Sequence, residues 1–354
     1  MEPTPISLGN VTILDVAREA GVSFSTVSRV INNKEYVKES TRLKVQAAMQ
    51  RLGYVANLKA RSLAGGRSQV IGVLIYDLET SYTVQIMRGI DEQISALDYD
   101  MLIATTHQRR VKEANYVVKL AQGLVDGLLI VLPRNLDAYV ADLHRLGVPY
   151  VLIDHPGQGA ADTAIQATNF PGAYSAIQHL LELGHTRIGV ITGPEDLASA
   201  RDRLAGYRAA LADHGVAIDE QLVVTGGYQK EGGVQGACRL LDLAHPPTAI
   251  FASSDLMGMG VLQEAQSRGI RVPEDLSVVG FDDIDEAGLI MPGLTTVRQP
   301  LEEMGRVATR LLVERIEDPE ICPQQLELAT ELVIRGTTAP PSPNRSLTPL
   351  QKAF

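Results

Sequence analysis

Apolar residues follow two different rhythms along this chain. From Thr12 to Ala64, in TILDVAREAGVSFSTVSRVINNKEYVKESTRLKVQAAMQRLGYVANLKARSLA, they recur three and four residues apart, the spacing of short helices that each bury one face. From Val70 onward, continuous apolar runs (VIGVLIY, MLIAT, VDGLLIVL, PYVLID) alternate with amphipathic stretches such as YTVQIMRGIDEQISAL and NLDAYVADLHRL. Such runs read as parallel strands buried on both faces, and the stretches between them as crossover helices. RIGVITG, LVVT, TAIFAS and SVVGF repeat the design, so two doubly wound units are expected in succession. LTTVRQP then leads into the helix LEEMGRVATRLLVERI, and ELATELVIRGTT supplies terminal strand, returning the chain to the first unit and then the second.

The first rhythm carries its own punctuation. Thr12 can cap a helix beginning near Ile13, Asp15 can reach back to it, and Val11 and Val16 have the spacing of a hydrophobic staple. Gly21 is placed to end that helix in a left-handed conformation, and Ser23 caps a second one in which Val22 and Val27 repeat the staple. Val27, Val30 and Ile31 share the inner face, while Phe24, Ser25, Ser28 and Arg29 project from the N-terminal end or the other side. A third helix follows, with Leu43, Ala47, Ala48 and Leu52 near one stripe and Lys38 where a capping hydroxyl is expected. Two helices joined by a tight turn, the second with an exposed N-terminal end, form the helix-turn-helix that enters a major groove.

Charge sharpens this reading. Residues 1–68 hold ten Lys or Arg against five acids, whereas the whole chain is −10, so a basic head sits on a body of net −15. Phosphate contact at one end only suits that asymmetry. NLKARSLAGG, at 57–66, has a capping Asn, two basic side chains and a glycine stop. It can form about two helical turns, too few to be stable in water unless something packs against them.

Catalytic and cofactor signatures are missing. There is no GxSxG, GxxxxGK[ST] or HExxH, no GxGxxG follows a strand, and the GMG at 258–260 falls inside a helical stretch. His179 and His185 have poor metal-ligand spacing and no acid cluster beside them; His185 is expected to bond locally near a helix end. The reading is therefore of a non-enzyme with no catalytic residue, metal or cofactor. Only Cys238 and Cys322 occur, and no signal-peptide pattern or membrane-length apolar run is present, which points to a reducing cytoplasm without a membrane partner.

The run TILDVAREAGVSFSTVSRVIN, the later TRLKVQAAMQRLGYVAN and the hinge ARSLAGG resemble the DNA-binding head of the lactose and purine repressor family; GHTRIGVITG, RLAGY, SVVGFDD and LTTVRQP resemble its effector domain, so the likeness spans about residues 11–338. It implies an all-α helix-turn-helix head at 10–56 and a hinge helix and linker at 57–68. A bilobed periplasmic-binding-protein-like α/β domain with two doubly wound parallel sheets is implied at 69–340. The first lobe is expected at 69–167 plus 298–326, the second at 168–297 plus 327–340, and a disordered tail at 341–354. By position, the resemblance implies base contacts from Phe24, Ser25 and Arg29, a minor-groove wedge at Leu63, and DNA-backbone contacts from Thr12, Ser23, Thr26, Ser28, Asn32, Tyr54 and Asn57.

In the cleft between lobes it implies Tyr82, Asp154, Arg203, Tyr228, Ser254 and Asp282 as effector ligands, with Arg203 and Asp282 strongest, a donor fork and an acceptor suited to a polyol. Asp255 and Asp283 read as helix caps. The implied partners are a palindromic operator, a small effector, expected to be a sugar, and a second copy of the chain. The implied function is a repressor of sugar-metabolism genes under allosteric control. A corepressed regulator answering to a purine or a phosphocarrier protein, and a sugar-binding transport component, are the alternatives; the sign of the response is not written in the residues.

Overall fold

The computed structural model describes residues 11–31, 36–54, 67–106 and 109–342. Asn32, Asn57, Leu63, nearly all of the expected hinge and the tail beyond 342 lie outside them.

The head contains α1 (Ile13–Ala20), α2 (Phe24–Ile31) and α3 (Glu39–Leu52). Asp15 closes the start of α1, its carboxylate accepting from both the backbone N–H (2.9 Å) and the hydroxyl (2.7 Å) of Thr12. Gly21 ends α1 at φ 66°, and Ser23 Oγ accepts from Thr26 N at 3.2 Å to cap α2. Val16, Ala17, Val27, Val30, Val45 and Ala48 form the core, with Val22, Ile31 and Tyr54 packed against it. The expected α3 stripe needs correction: Val45, Ala48, Met49 and Leu52 face inward, and Leu43 and Ala47 are exposed. At 100° per residue Leu43 lies opposite Leu52, so the two cannot share a face.

Beyond the head come two six-stranded sheets. The first runs β11-β5-β4-β3-β1-β2, with β1 Val70–Ile75, β2 Asp100–Thr105, β3 Gly127–Val131, β4 Tyr150–Ile153, β5 Thr163–Ala167 and β11 Gln325–Leu328, all parallel. The second runs β12-β10-β9-β8-β6-β7, with β6 Ile188–Thr192, β7 Val223–Thr225, β8 Ala249–Ala252, β9 Ser277–Asp282 and β10 Thr295–Arg298; only β12 (Glu331–Val333) is antiparallel. The helices are α4 (Ser81–Ala96), α5 (Arg110–Ala121), α6 (Val140–Leu146), α7 (Asn169–Glu182), α8 (Ala198–Asp213), α9 (Lys230–Leu241), α10 (Asp255–Ser267), α11 (Asp285–Leu289) and α12 (Leu301–Glu317).

Each sheet divides two cores between its faces, and α12 packs on the first lobe, where Met304, Leu311 and Leu312 join Ile71, Val73 and Ile153. Close helix approach is built from glycine. A Cβ on Gly89 of α4 would lie 1.8 Å from Glu302 O of α12, and one on Gly260 of α10 would lie 2.2 Å from Lys230 O of α9. The GMG sequence is thus a helix-packing device.

The chain crosses between lobes after β5, after β10 and after β11. Thr168 and Thr330 tie two of these crossings together, their hydroxyls 3.0 Å apart and Thr330 N donating to Thr168 Oγ1 at 2.9 Å. The last crossing falls later than expected, because β11 pairs with β5 as far as Leu328 and so keeps 327 and 328 in the first lobe. ELATELVIRGTT contributes to a strand in each sheet, and NLDAYVADLHRL is not one helix. A 3-10 turn at Leu136–Ala138 and α6 meet at Tyr139, which leaves helical geometry (φ −144°) with its side chain buried and its hydroxyl on Glu113.

Candidate DNA interface and effector cleft

The N-terminal end of α2 stands out from the head: Ser23, Phe24, Ser25 and Arg29 are exposed. The Ser23 hydroxyl lies 2.8 Å from those of both Ser25 and Thr26, so the cap is also the centre of a small hydroxyl cluster. Beside it a shallow groove is lined by Val22, Ser23, Thr26, Arg29, Tyr36, Val37, Lys38 and Thr41. Lys38 precedes α3 without a side-chain capping bond, its carbonyl accepting from Thr41 N at 2.8 Å and Arg42 N at 3.0 Å. Tyr36, Lys38 and Thr41 belong to this surface and escaped sequence reasoning; the only signal was the misplaced lysine. Thr12 is exposed at the start of α1, but both its donors are spent on Asp15. Tyr54 packs against the head core, where burial raises its hydroxyl above the usual phenol range.

Between the lobes lies a cavity of about 210 Å³ at the carboxyl ends of the strands, where the strand order of each sheet reverses. Tyr82, Asp154, Arg203, Tyr228, Ser254 and Asp282 all line it. Arg203 sits within α8, buried to 2% exposure, with its guanidinium carbon 3.8 Å from the Phe281 ring centre and 5.4 Å from that of Tyr228. Nε donates to Asn169 Oδ1 (2.8 Å), and Nη1 donates to Ser253 O (2.6 Å) and Asp282 Oδ1 (3.3 Å). Gln299 adds a second donor to that carboxylate oxygen at 2.7 Å. Asn169, Phe281 and Gln299 therefore fix the strongest predicted pair, and none was singled out from sequence.

Across the cavity Tyr82 donates to Asp154 Oδ2 at 2.8 Å, while Asp154 Oδ1 is buried without a hydrogen-bond partner. Burial raises the Tyr82 hydroxyl well above its ordinary value, Asp154 beside it acting in the same direction. Burial also pushes Asp282 up to about 6, against the opposing pull of the Arg203 cation. Leu132, Asp154, Tyr228 and Asp282 have φ of 51°, 56°, 64° and 120°. Such backbone costs on the order of 1–3 kcal/mol per residue, and its gathering at one cavity is characteristic of a ligand site.

Three sequence expectations are corrected here. Ser254, not Asp255, caps α10, its hydroxyl accepting from Met257 N at 3.3 Å. Asp255 is fully buried and accepts instead from Ile284 N and the Thr296 hydroxyl. Asp283 is not a cap either: Arg298 and Arg335 hold it at 2.7 and 2.6 Å. His185 bonds locally only through its backbone, its N–H donating to Leu180 O at 3.0 Å; the buried imidazole reaches Thr248, Ser277 and Ala339 instead.

The lobes touch at both sides of the cleft. Arg134 bonds both carboxylate oxygens of Asp196, at 3.2 and 3.1 Å. On the other side Ser81, Gln85 and Arg88 of α4 bond Glu286 and Asp285 at the start of α11. Among the described residues no cluster of His, Cys, Asp and Glu could hold a metal ion, and no helix is long and apolar enough to cross a membrane.

A DNA-reading head joined to a two-lobed ligand cleft defines a ligand-responsive regulator of transcription. Residues 12–57 match the family described as bacterial regulatory proteins, lacI family, and residues 177–338 match the periplasmic binding protein-like domain. The HTH-type transcriptional repressor PurR of Photobacterium profundum is 34% identical over 326 residues, covering 92% of this chain and 97% of that protein. Among solved structures, the lac repressor dimer bound to operator and the anti-inducer ONPF superposes with a TM-score of 0.81 at 31% identity, covering 94% and 100% of the two chains. The transcriptional regulator CelR–cellobiose complex does so at 0.69 and 35%, covering 92% and 99%. This chain belongs to the lacI family: it is a DNA-binding transcriptional regulator with an effector-binding domain, and its relatives are regulators and not enzymes.

Proposed function

We propose that this regulator represses genes of sugar metabolism and that one uncharged sugar ring, held in the cleft, sets its affinity for operator DNA. The observation that carries this reading is the pairing, across a small cavity, of a buried carboxylate with an unpartnered oxygen (Asp154) and a buried Arg203–Asp282 pair. Carboxylates accept from hydroxyls and the guanidinium donates to ring or hydroxyl oxygens, while Tyr82 and Tyr228 offer aromatic faces to the C–H surface of a ring. The cavity, about 210 Å³, has room for a small ligand such as a sugar ring. Asp77, Asp154 and Asp282 outnumber Arg203 and the Asp196-paired Arg134 along the wall, which disfavours a phosphate. The cellobiose in the CelR complex supports a sugar. Ser254 contributes from the wall while capping α10.

On the DNA side, Arg29 reads a guanine edge, Phe24 and Ser25 flank it, and Ser23, Thr26, Ser28, Asn32, Tyr54 and Asn57 set register on phosphates. Thr12 joins them only by giving up a bond to Asp15. Leu63 wedges the minor groove at the centre of a palindromic site bound by a homodimer. The relatives named PurR keep one second reading in view, a purine corepressor.

Purified protein is to be bound to genomic fragments of its own organism at fixed salt, with and without pentoses, hexoses, disaccharides and purines. Palindromes whose retention changes with a monosaccharide alone are the expected result. Retention that depends on a purine would replace the sugar reading, and no enriched DNA would defeat the operator reading.

A further inference from the structure

We propose that Arg134 is a ligand-contacting latch, a residue that touches the effector and closes the second lobe over it. The proposal rests on the reading of the cleft as the effector site. Arg134 belongs to the first lobe but binds the second, its Nη2 bonded to both oxygens of Asp196 in the segment before α8. Its guanidinium carbon lies 5.6 Å from the ring centre of Tyr76, another residue of the cavity wall. Arg134 itself lines the cavity, its side chain is 11% exposed, and its Nε is buried with no hydrogen-bond partner. A buried N–H of a cation left unbonded costs more than it returns unless a partner arrives. An oxygen of a bound sugar is that partner.

The backbone beneath is built to hold the side chain there. Leu132 turns the chain at φ 51° directly after β3, and the next N–H groups, Arg134 N and Asn135 N, donate to the carboxylate of Glu113. Glu113 is 3% exposed and also accepts from the Tyr139 hydroxyl at 2.5 Å. Burial and the Glu113 charge together hold that phenol protonated. The loop is therefore fixed on the first lobe, and the guanidinium can report to Asp196 only when the lobes are close. A sugar bonded to Nε fixes the plane of the guanidinium, and the fixed fork meets Asp196 at lower entropic cost.

Full-length wild type, Arg134→Gln and Asp196→Asn are to be compared by hydrogen exchange at the two cleft walls, residues 131–136 and 193–198. Each is measured alone and with an equimolar mixture of D-ribose, D-xylose, D-glucose and D-galactose. Without sugar, both variants should exchange faster than wild type at 193–198, because the latch is broken. With sugar, wild type should be protected at both walls. Arg134→Gln should need about tenfold more of the mixture for half-protection at either wall, whereas Asp196→Asn keeps the first wall's protection and loses the second's. Equal exchange of all three proteins without sugar overturns the latch. Half-protection of Arg134→Gln at wild-type concentration overturns the contact. Absence of protection in wild type defeats the sugar reading and the ligand contact, while the sugar-free comparison still decides the latch.

Discussion

Asp282 shows what the cleft asks of a single side chain. Burial lifts its carboxyl to about 6, against an ordinary value of 3.8, even with Arg203 beside it. The ligand-free folded protein thus holds a proton that the unfolded chain releases near pH 4. This group therefore favours the folded state most below about pH 4, and the contribution is lost as pH rises through 6. A sugar hydroxyl donating to Asp282 prefers the ionised form. Sugar affinity should be flat above pH 7 and fall as pH drops below 6, approaching about tenfold per unit. Calorimetric titration from pH 5 to 8 reads this slope, and in Asp282→Asn it should vanish along with most of the affinity. A slope that survives in the variant moves the titrating group elsewhere. The identity of the pair was legible because both residues sit in recognisable motifs, RLAGY and SVVGFDD. Its supports were not legible: Asn169 and Gln299 meet Arg203 and Asp282 only after separations of 34 and 17 residues are folded together.

At the scale of elements, the apolar runs gave the strands because a parallel strand covered on both faces has few polar positions to confuse the reading. Failure came where a tertiary contact overrides local rhythm. Tyr139 breaks an apparently continuous helix to bring its hydroxyl to Glu113, and TAIQA, with a glutamine and two alanines, becomes β5 because β4 and β11 flank it. In the head, the α3 stripe was misplaced although the caps of α1 and α2 were read correctly, since caps are local and faces depend on what packs there. The glycine contact of α4 with α12 is also invisible in one dimension. With Glu302 O only 1.8 Å from a Cβ at position 89, the helices cannot keep their spacing in Gly89→Ala. The substitution should cost about 1–3 kcal/mol or more, although alanine favours a helix by about 1 kcal/mol. Thermal unfolding followed by circular dichroism should show the loss as a Tm lowered by several degrees. An unchanged Tm would mean that the helix pair yields without penalty.

Across the whole molecule, two recognition chemistries are kept apart in sequence and in charge. The basic head meets a polyanion, and its binding is governed by counterion release. The acidic body encloses a small cavity lined by Asp154, Asp282 and Arg203, and the proposed uncharged ring would bind there without a net demand for mobile ions. Salt therefore separates them. If the head and hinge contact 6–10 phosphates, operator affinity should fall by about 10³- to 10⁵-fold between 50 and 200 mM salt. Sugar affinity of the DNA-free protein should stay within about twofold over the same range, because a neutral ligand carries no charge to screen. Linkage adds a third number: at any one salt concentration, the factor by which sugar changes operator affinity must equal the factor by which saturating operator changes sugar affinity. Anisotropy titrations with labelled operator and calorimetry with sugar give all three. A sugar affinity that falls steeply with salt would identify a charged effector and refute the neutral-ring reading, leaving the DNA head untouched. Matching factors with divergent salt slopes are what the separation of a basic head from a buried cleft that takes an uncharged ring requires.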